Sequence, residues 1–215
     1  MGNGINNGMD SAVKFGAGRY RQGRGILEHC GQEIRRFVKK AYIVSGPRAF
    51  DAVKDRLLPG LTEAGVEFVA EIYDGVCSYE AAEALGKKCL DAGCDEVVGI
   101  VGVVIMDLSK AVAGKAGVGV INIPTSIATC AAFAPLSVMY TAEGASLGSL
   151  RYDHEVNAIV MDMDVICKEP PRYAASGRSA VYTAISCSLS RVLCSYGSFS
   201  AAFLRRRPRK YAYRP

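Results

Sequence analysis

Four stretches of this chain set small, polar or charged side chains in patterns that suit an anionic ligand. Ser45-Gly46-Pro47 follows a short apolar run. A glycine there lets the chain turn sharply and approach a ligand closely. Contact of Ser45 and Gly46 with a nucleotide is one reading, and an ordinary strand-to-helix turn is the other. The run from Gly99 to Ala111 brings together a strand end, a single Gly102 and a helix start. Backbone amides at that helix start could hold a pyrophosphate. Asp107 sits near the helix N-terminus, where a carboxylate is stabilised, and Lys110 follows at i+3. Val101, Val103 and Val104 are expected to crowd this loop. After Pro124, the hydroxyls of Thr125, Ser126 and Thr129 suit contacts to phosphate, ribose or an amide, with a capped helix start as the plainer reading. Gln22-Gly23-Arg24-Gly25 could lead an anion to a helix start. It lacks G-x-G-x-x-G spacing, and no strand is expected directly before it.

These stretches need elements to carry them. Apolar residues at 26, 27, 30, 34, 37 and 38 predict a helix over 25–38 with a charged opposite face. Residues 41–45 read as a buried strand, 48–64 as a helix and 66–73 as a second strand. Ser78 is a plausible N-cap for a helix reaching about residue 93. Residues 95–104 give a third strand, with a helix following through 113. Residues 118–123 and 157–162 give the fourth and fifth strands. The strands are short apolar runs without period-two alternation, as a parallel sheet covered on both faces requires. The expected fold is α/β, a doubly wound, mostly parallel, Rossmann-like sheet with right-handed crossovers. Ligands of such sheets bind at the carboxyl ends of the strands, near a topological switch point. The loops after Val44, Val101 and Ile123 are therefore the places to expect chemistry.

Composition narrows the function classes. The chain has 215 residues, of which 50% are hydrophobic, so a disordered or fibrous chain is excluded. The formal net charge of +5 suggests an acidic partner until the charges are located. No Asp or Glu follows Glu169, and nine of the 26 Lys/Arg lie in residues 170–215. Residues 1–169 thus hold 17 basic against 21 acidic residues, a net of −4. The basic end, which includes Arg205-Arg206-Arg207-Pro208-Arg209-Lys210-Tyr211, mixes cations with aromatics as single-strand binders do. An incidental basic tail is the preferred reading, so nucleic acid is not expected as a partner. The first 15 residues have neither a basic n-region nor an apolar h-region. No apolar run reaches the ~18 residues of a membrane span. The eight cysteines lack CxxC spacing, and the two histidines, His29 and His154, lie far apart. Reduced thiols in a cytoplasmic protein are expected.

The Gly102–Ala111 segment, together with Ile123 through Gly144, resembles the iron-containing alcohol dehydrogenase family on its glycerol dehydrogenase side. Ser45–Phe50, Phe68–Cys77 and Pro170–Ala175 fit in the same order, so the resemblance covers roughly residues 14–177. It implies an N-terminal dinucleotide-binding domain over 14–168 and NAD(H) as cofactor. It also implies an alcohol or polyol substrate, and a divalent Zn or Fe ion held between this domain and a helical one. Against the family's Gly-Gly-Gly-x-x-x-Asp loop, this chain matches at Gly102 and Asp107 but carries valines at two of the glycine positions. The resemblance makes Thr125 and Thr129 cofactor contacts, Leu136 and Ser137 a wall under the nicotinamide, and Cys130 a substrate contact. The family's Asp metal ligand would fall near Ala180, and its two His ligands have no counterpart after His154. No metal site and no catalytic residue is therefore assigned. Residues 1–13 are expected to be disordered, and 169–215 to be a remnant of the helical domain with a basic tail. The chain is accordingly expected to be a truncated or frame-shifted relative. Loss of the second domain would expose an apolar face, so self-association is expected. The alternative is a non-catalytic nucleotide-binding or oligomerising α/β domain.

Overall fold

The computed structural model describes residues 17–177. The expectations for residues 1–13, for Ala180 and for the basic arm at 205–214 lie outside them.

Six strands form one parallel sheet: β1 (Ala17–Gly23), β2 (Lys40–Ser45), β3 (Glu67–Ile72), β4 (Glu96–Val101), β5 (Gly119–Pro124) and β8 (Val156–Asp162). Their order is β1-β8-β5-β4-β2-β3, and every adjacent pair runs parallel. A separate antiparallel hairpin joins β6 (Leu136–Tyr140) to β7 (Ser146–Arg151). The helices are α1 (Gly31–Arg35), α2 (Pro47–Glu63), α3 (Tyr79–Asp91), α4 (Val103–Ala116) and α5 (Met163–Ile166). Residues 171–177 are also helical.

Side chains of each central strand alternate between two cores, which is why the apolar runs are continuous. In β2, Tyr42 and Val44 enter a cluster with Leu85, Leu108 and Val112 of α3 and α4. Ala41 and Ile43 enter the opposite cluster with Ile34, Leu57 and Leu61 of α1 and α2. Both faces of the sheet are thus covered by helices. Ser78 caps α3 as its position predicts, its hydroxyl accepting from the Ala81 amide at 3.1 Å.

Three expectations need correction. A strand does precede the Gly23–Gly25 segment: β1 pairs with β8 along the sheet edge, its Arg and Tyr side chains exposed. The helix over 25–38 is broken into a single 3-10 turn (Ile26–Glu28) and the short α1. Gly25 takes φ 63°, and the buried Asp162 carboxylate accepts from the amides of Gly25 and Leu27 at 3.3 and 3.2 Å. That anchor fixes a tight turn, while Ile26, Leu27, Cys30, Ile34 and Val38 still face the core as their spacing predicts. The strand over 95–104 ends at Val101, because Gly102 turns the chain and Val103 and Val104 form the first turn of α4.

The chain runs from β2 outward to β3, then returns past β2 to β4 and continues to β5. The switch point therefore lies between β2 and β4, where Ser45 and Gly102 stand.

Candidate functional site

At that switch point the two helices α2 and α4 begin side by side. Gly46 is the N-cap of α2 and Gly102 the N-cap of α4, and neither start is closed by a side-chain hydrogen bond. The first-turn amides of α4 are left facing outward, which favours an anion there. Ser45 is fully buried, and its hydroxyl donates to the Ile100 carbonyl at 2.7 Å, stitching the ends of β2 and β4 together. A side-chain carbon added at Gly102 would meet nothing within 4 Å, so open space lies beside this residue.

That space belongs to a cleft of about 570 Å³ at the carboxyl ends of the strands. Gly102, Thr125 and Ser126 form one wall, Arg48 and Ala49 of α2 another, and Lys168 and Tyr173 the far rim. Of the candidates from the sequence, Gly102 and Thr125 line this cleft. Ser45 and Gly46 do not line it; they precede α2, whose Arg48 and Ala49 do. Arg48, Lys168 and Tyr173 are lining residues that motif reading did not single out. The carboxyl-end rule, applied to the last strand as well as the first ones, points to 163–173.

The remaining candidates form a buried polar knot beneath the loop that follows β5. Lys110 is 2% exposed. Its ammonium donates to the carbonyls of Ala131 at 2.9 Å, Ala134 at 3.0 Å and Leu136, and pairs with Asp107 Oδ1 at 2.8 Å. Burial pushes its pKa down, while Asp107 pulls in the opposite direction. Asp107 Oδ2 accepts from the Val138 amide at 3.1 Å, and the Ser137 hydroxyl donates to the Asp107 carbonyl at 2.7 Å. Asn122 adds a bond from its amide to the Ala132 carbonyl at 3.0 Å. Gly99 permits this packing, since a side chain there would strike Ser109 of α4. Lys110, Asp107 and Ser137 thus hold the loop rather than face the cleft. Leu136 is half-buried at the start of β6. Thr129 and Cys130 are exposed at the loop's outer side, and the Thr129 hydroxyl accepts from the Ala131 amide at 3.3 Å. The loop itself is non-helical, so the capped-helix reading of its hydroxyls does not apply.

The iron-containing alcohol dehydrogenase family model matches residues 17–162. The chain belongs to that family. It is 30% identical to the glycerol dehydrogenase of Thermotoga maritima over 161 residues, which are 74% of this chain and 43% of that one. The crystal structure of glycerol dehydrogenase from Schizosaccharomyces pombe superposes with a TM-score of 0.71 at 25% identity, covering 78% of this chain and 42% of that chain. The NADH-dependent butanol dehydrogenase A of Thermotoga maritima shares the fold at a TM-score of 0.70 and 17% identity, covering 80% and 49%. The chain spans less than half the length of these relatives. Among the described residues no group of three or more His, Cys, Asp or Glu could hold a metal, and no helix is long and apolar enough to cross a membrane.

Proposed function

We propose that this chain binds a nicotinamide dinucleotide in the Gly102–Thr125 cleft, as the cofactor-holding part of an alcohol or polyol dehydrogenase. The observation that carries this reading is the uncapped start of α4 at Gly102, with open space beside that glycine, in one cleft with Thr125. The diphosphate would rest on the α4 amides beside Gly102, where a side chain would take up the room it needs. Thr125 and Ser126 would meet the ribose or amide. Ser45, Gly46, Asp107, Lys110, Leu136 and Ser137 would act by position, keeping the two helix starts and the loop in register. Thr129 and Cys130 would meet the nicotinamide end and the substrate. When bound, the dinucleotide supplies the hydride acceptor.

The family's metal has no fitting ligand set among the described residues, so no metal-assisted step is assigned to them. On this reading the chain binds cofactor but does not turn over alcohols alone, and it self-associates. The six described cysteines are free thiols, which suits a reducing cytoplasm. Titrating the full chain into NADH and NADPH while following nicotinamide fluorescence tests the reading. Saturable enhancement supports it; flat titrations at millimolar protein defeat it.

A further inference from the structure

The loop that closes β2 carries no carboxylate. An adenosine ribose with a free 2′-hydroxyl is ordinarily held by an Asp or Glu at a strand end near the diphosphate loop, because a carboxylate accepts from hydroxyls. A 2′-phosphate calls instead for an arginine, whose planar fork meets phosphate oxygens two at a time. Here the strand that flanks β4 on the switch-point side is β2, and it runs out into Ser45-Gly46-Pro47-Arg48.

Arg48 stands in the first turn of α2, exposed, and lines the same cleft as Gly102. Asp51, one turn along, is held by Lys54 at 2.6 Å. Among the described residues no hydrogen bond or ion pair engages the Arg48 guanidinium. Lys168 lines the cleft from the opposite rim, likewise without an ion pair among the described residues. The one acid in the lining, Glu169, turns an oxygen to the Ile127 amide at 3.2 Å. Its other oxygen is buried without a hydrogen-bond partner, so the side of the cleft where a cation stands with no acid beside it in the lining is that of Arg48.

We infer that the cleft takes the 2′-phosphorylated dinucleotide, NADP(H), in preference to NAD(H), with Arg48 reading the phosphate and Lys168 reinforcing it. This deepens the dinucleotide reading above and rests on it. A 2′-phosphate adds about −1.5 to −2 charges at pH 7 and three strong acceptor oxygens. A charge-assisted bidentate contact of that kind corresponds to roughly a ten-fold or larger difference in affinity.

The test is a pair of fluorescence titrations of the full chain, with NADPH and with NADH, repeated for Arg48→Ala, Arg48→Lys and Arg48→Glu. Arg48 is exposed, so these variants fold. NADPH binding about ten-fold or more tighter than NADH in the parent is expected. The preference should vanish in Arg48→Ala, survive in part in Arg48→Lys and invert in Arg48→Glu. Equal affinities in the parent, or a preference that persists in Arg48→Ala, overturn the inference and leave the dinucleotide reading standing. If neither dinucleotide binds, both fall.

Discussion

Lys110→Met removes one ammonium and leaves the packing of its methylene stem almost unchanged. The structure sets the cost. Asp107 is buried and paired with Lys110 at 2.8 Å, so deleting the cation strands a buried carboxylate. Breaking a buried pair in this one-sided way costs about 3–5 kcal/mol. The carbonyls of Ala131, Ala134 and Leu136 lose their donor in the same step, which keeps the loss off the lower end of that range. A loss of about 4 kcal/mol is a large share of the roughly 5–15 kcal/mol that holds a domain folded. At a typical urea slope of about 2 kcal/mol per molar, the unfolding midpoint falls by about 2 M. Urea denaturation followed by circular dichroism reads this directly. Removing the carboxylate as well, in Asp107→Leu/Lys110→Met, should recover part of the loss, because no unpaired charge then stays buried. A Lys110→Met variant as stable as the parent, yet unable to bind dinucleotide, would refute the reasoning. It would make Lys110 a ligand contact instead of the anchor of the loop.

Two further outcomes follow from buried groups. Glu96 is 3% exposed, and burial pushes its carboxyl up to about 7 although the Asn157 amide donates to it at 2.9 Å. A raised carboxyl pKa means that the folded state resists ionisation, so stability is fullest below the ordinary value of 4.5 and is lost as pH rises toward 7. A shift of that size corresponds to a loss of up to about 3 kcal/mol, and Glu96→Gln should gain on the parent by that order between pH 5 and pH 8. Parallel stability–pH curves for the two proteins would contradict this. Cys30, Cys77 and Cys89 are buried with their thiols pushed up to about 12 by desolvation, and Cys94 is buried and raised too, whereas Cys130 and Cys167 are exposed. Alkylation of the native chain should therefore modify Cys130 and Cys167 before those four, as peptide mass mapping would show; early modification of Cys77 would contradict its burial beside Met139 of β6.

Much of the sheet was legible because its central strands are buried on both faces. Ala41–Val44 and Val97–Val101 read as short apolar runs, and Gly46 and Gly102 turn the chain after them. The edge strand β1 was not legible. Its AGRYRQG sequence is mostly exposed, and it gains its strand form from pairing with β8, more than 130 residues away. The β6–β7 hairpin was missed for a related reason, since β7 is nearly all exposed and carries no apolar run. The break between the 3-10 turn and α1 depends on Asp162 at the end of the last strand, which no local periodicity can report. At the cleft, Gly102 and Thr125 were legible as members of the loops that follow the third and fourth expected strands. The work of Lys110 was not, because its carbonyl partners lie 21 to 26 residues further on. Arg48 and Lys168 show their common cleft only once the sheet brings the ends of β2 and β8 to one side.

The central claim is that a dinucleotide occupies the open start of α4. Gly102 has φ −78°, a conformation any residue adopts, and a side chain there meets nothing within 4 Å. Gly102→Phe should therefore fold as the parent does while filling the cleft. Titration of both proteins with NADPH and NADH, followed by nicotinamide fluorescence, is the most direct measurement. Saturable binding to the parent, lost in Gly102→Phe at unchanged urea midpoint, is the predicted result. No binding to the parent at millimolar concentration, or equal binding to both proteins, would contradict it.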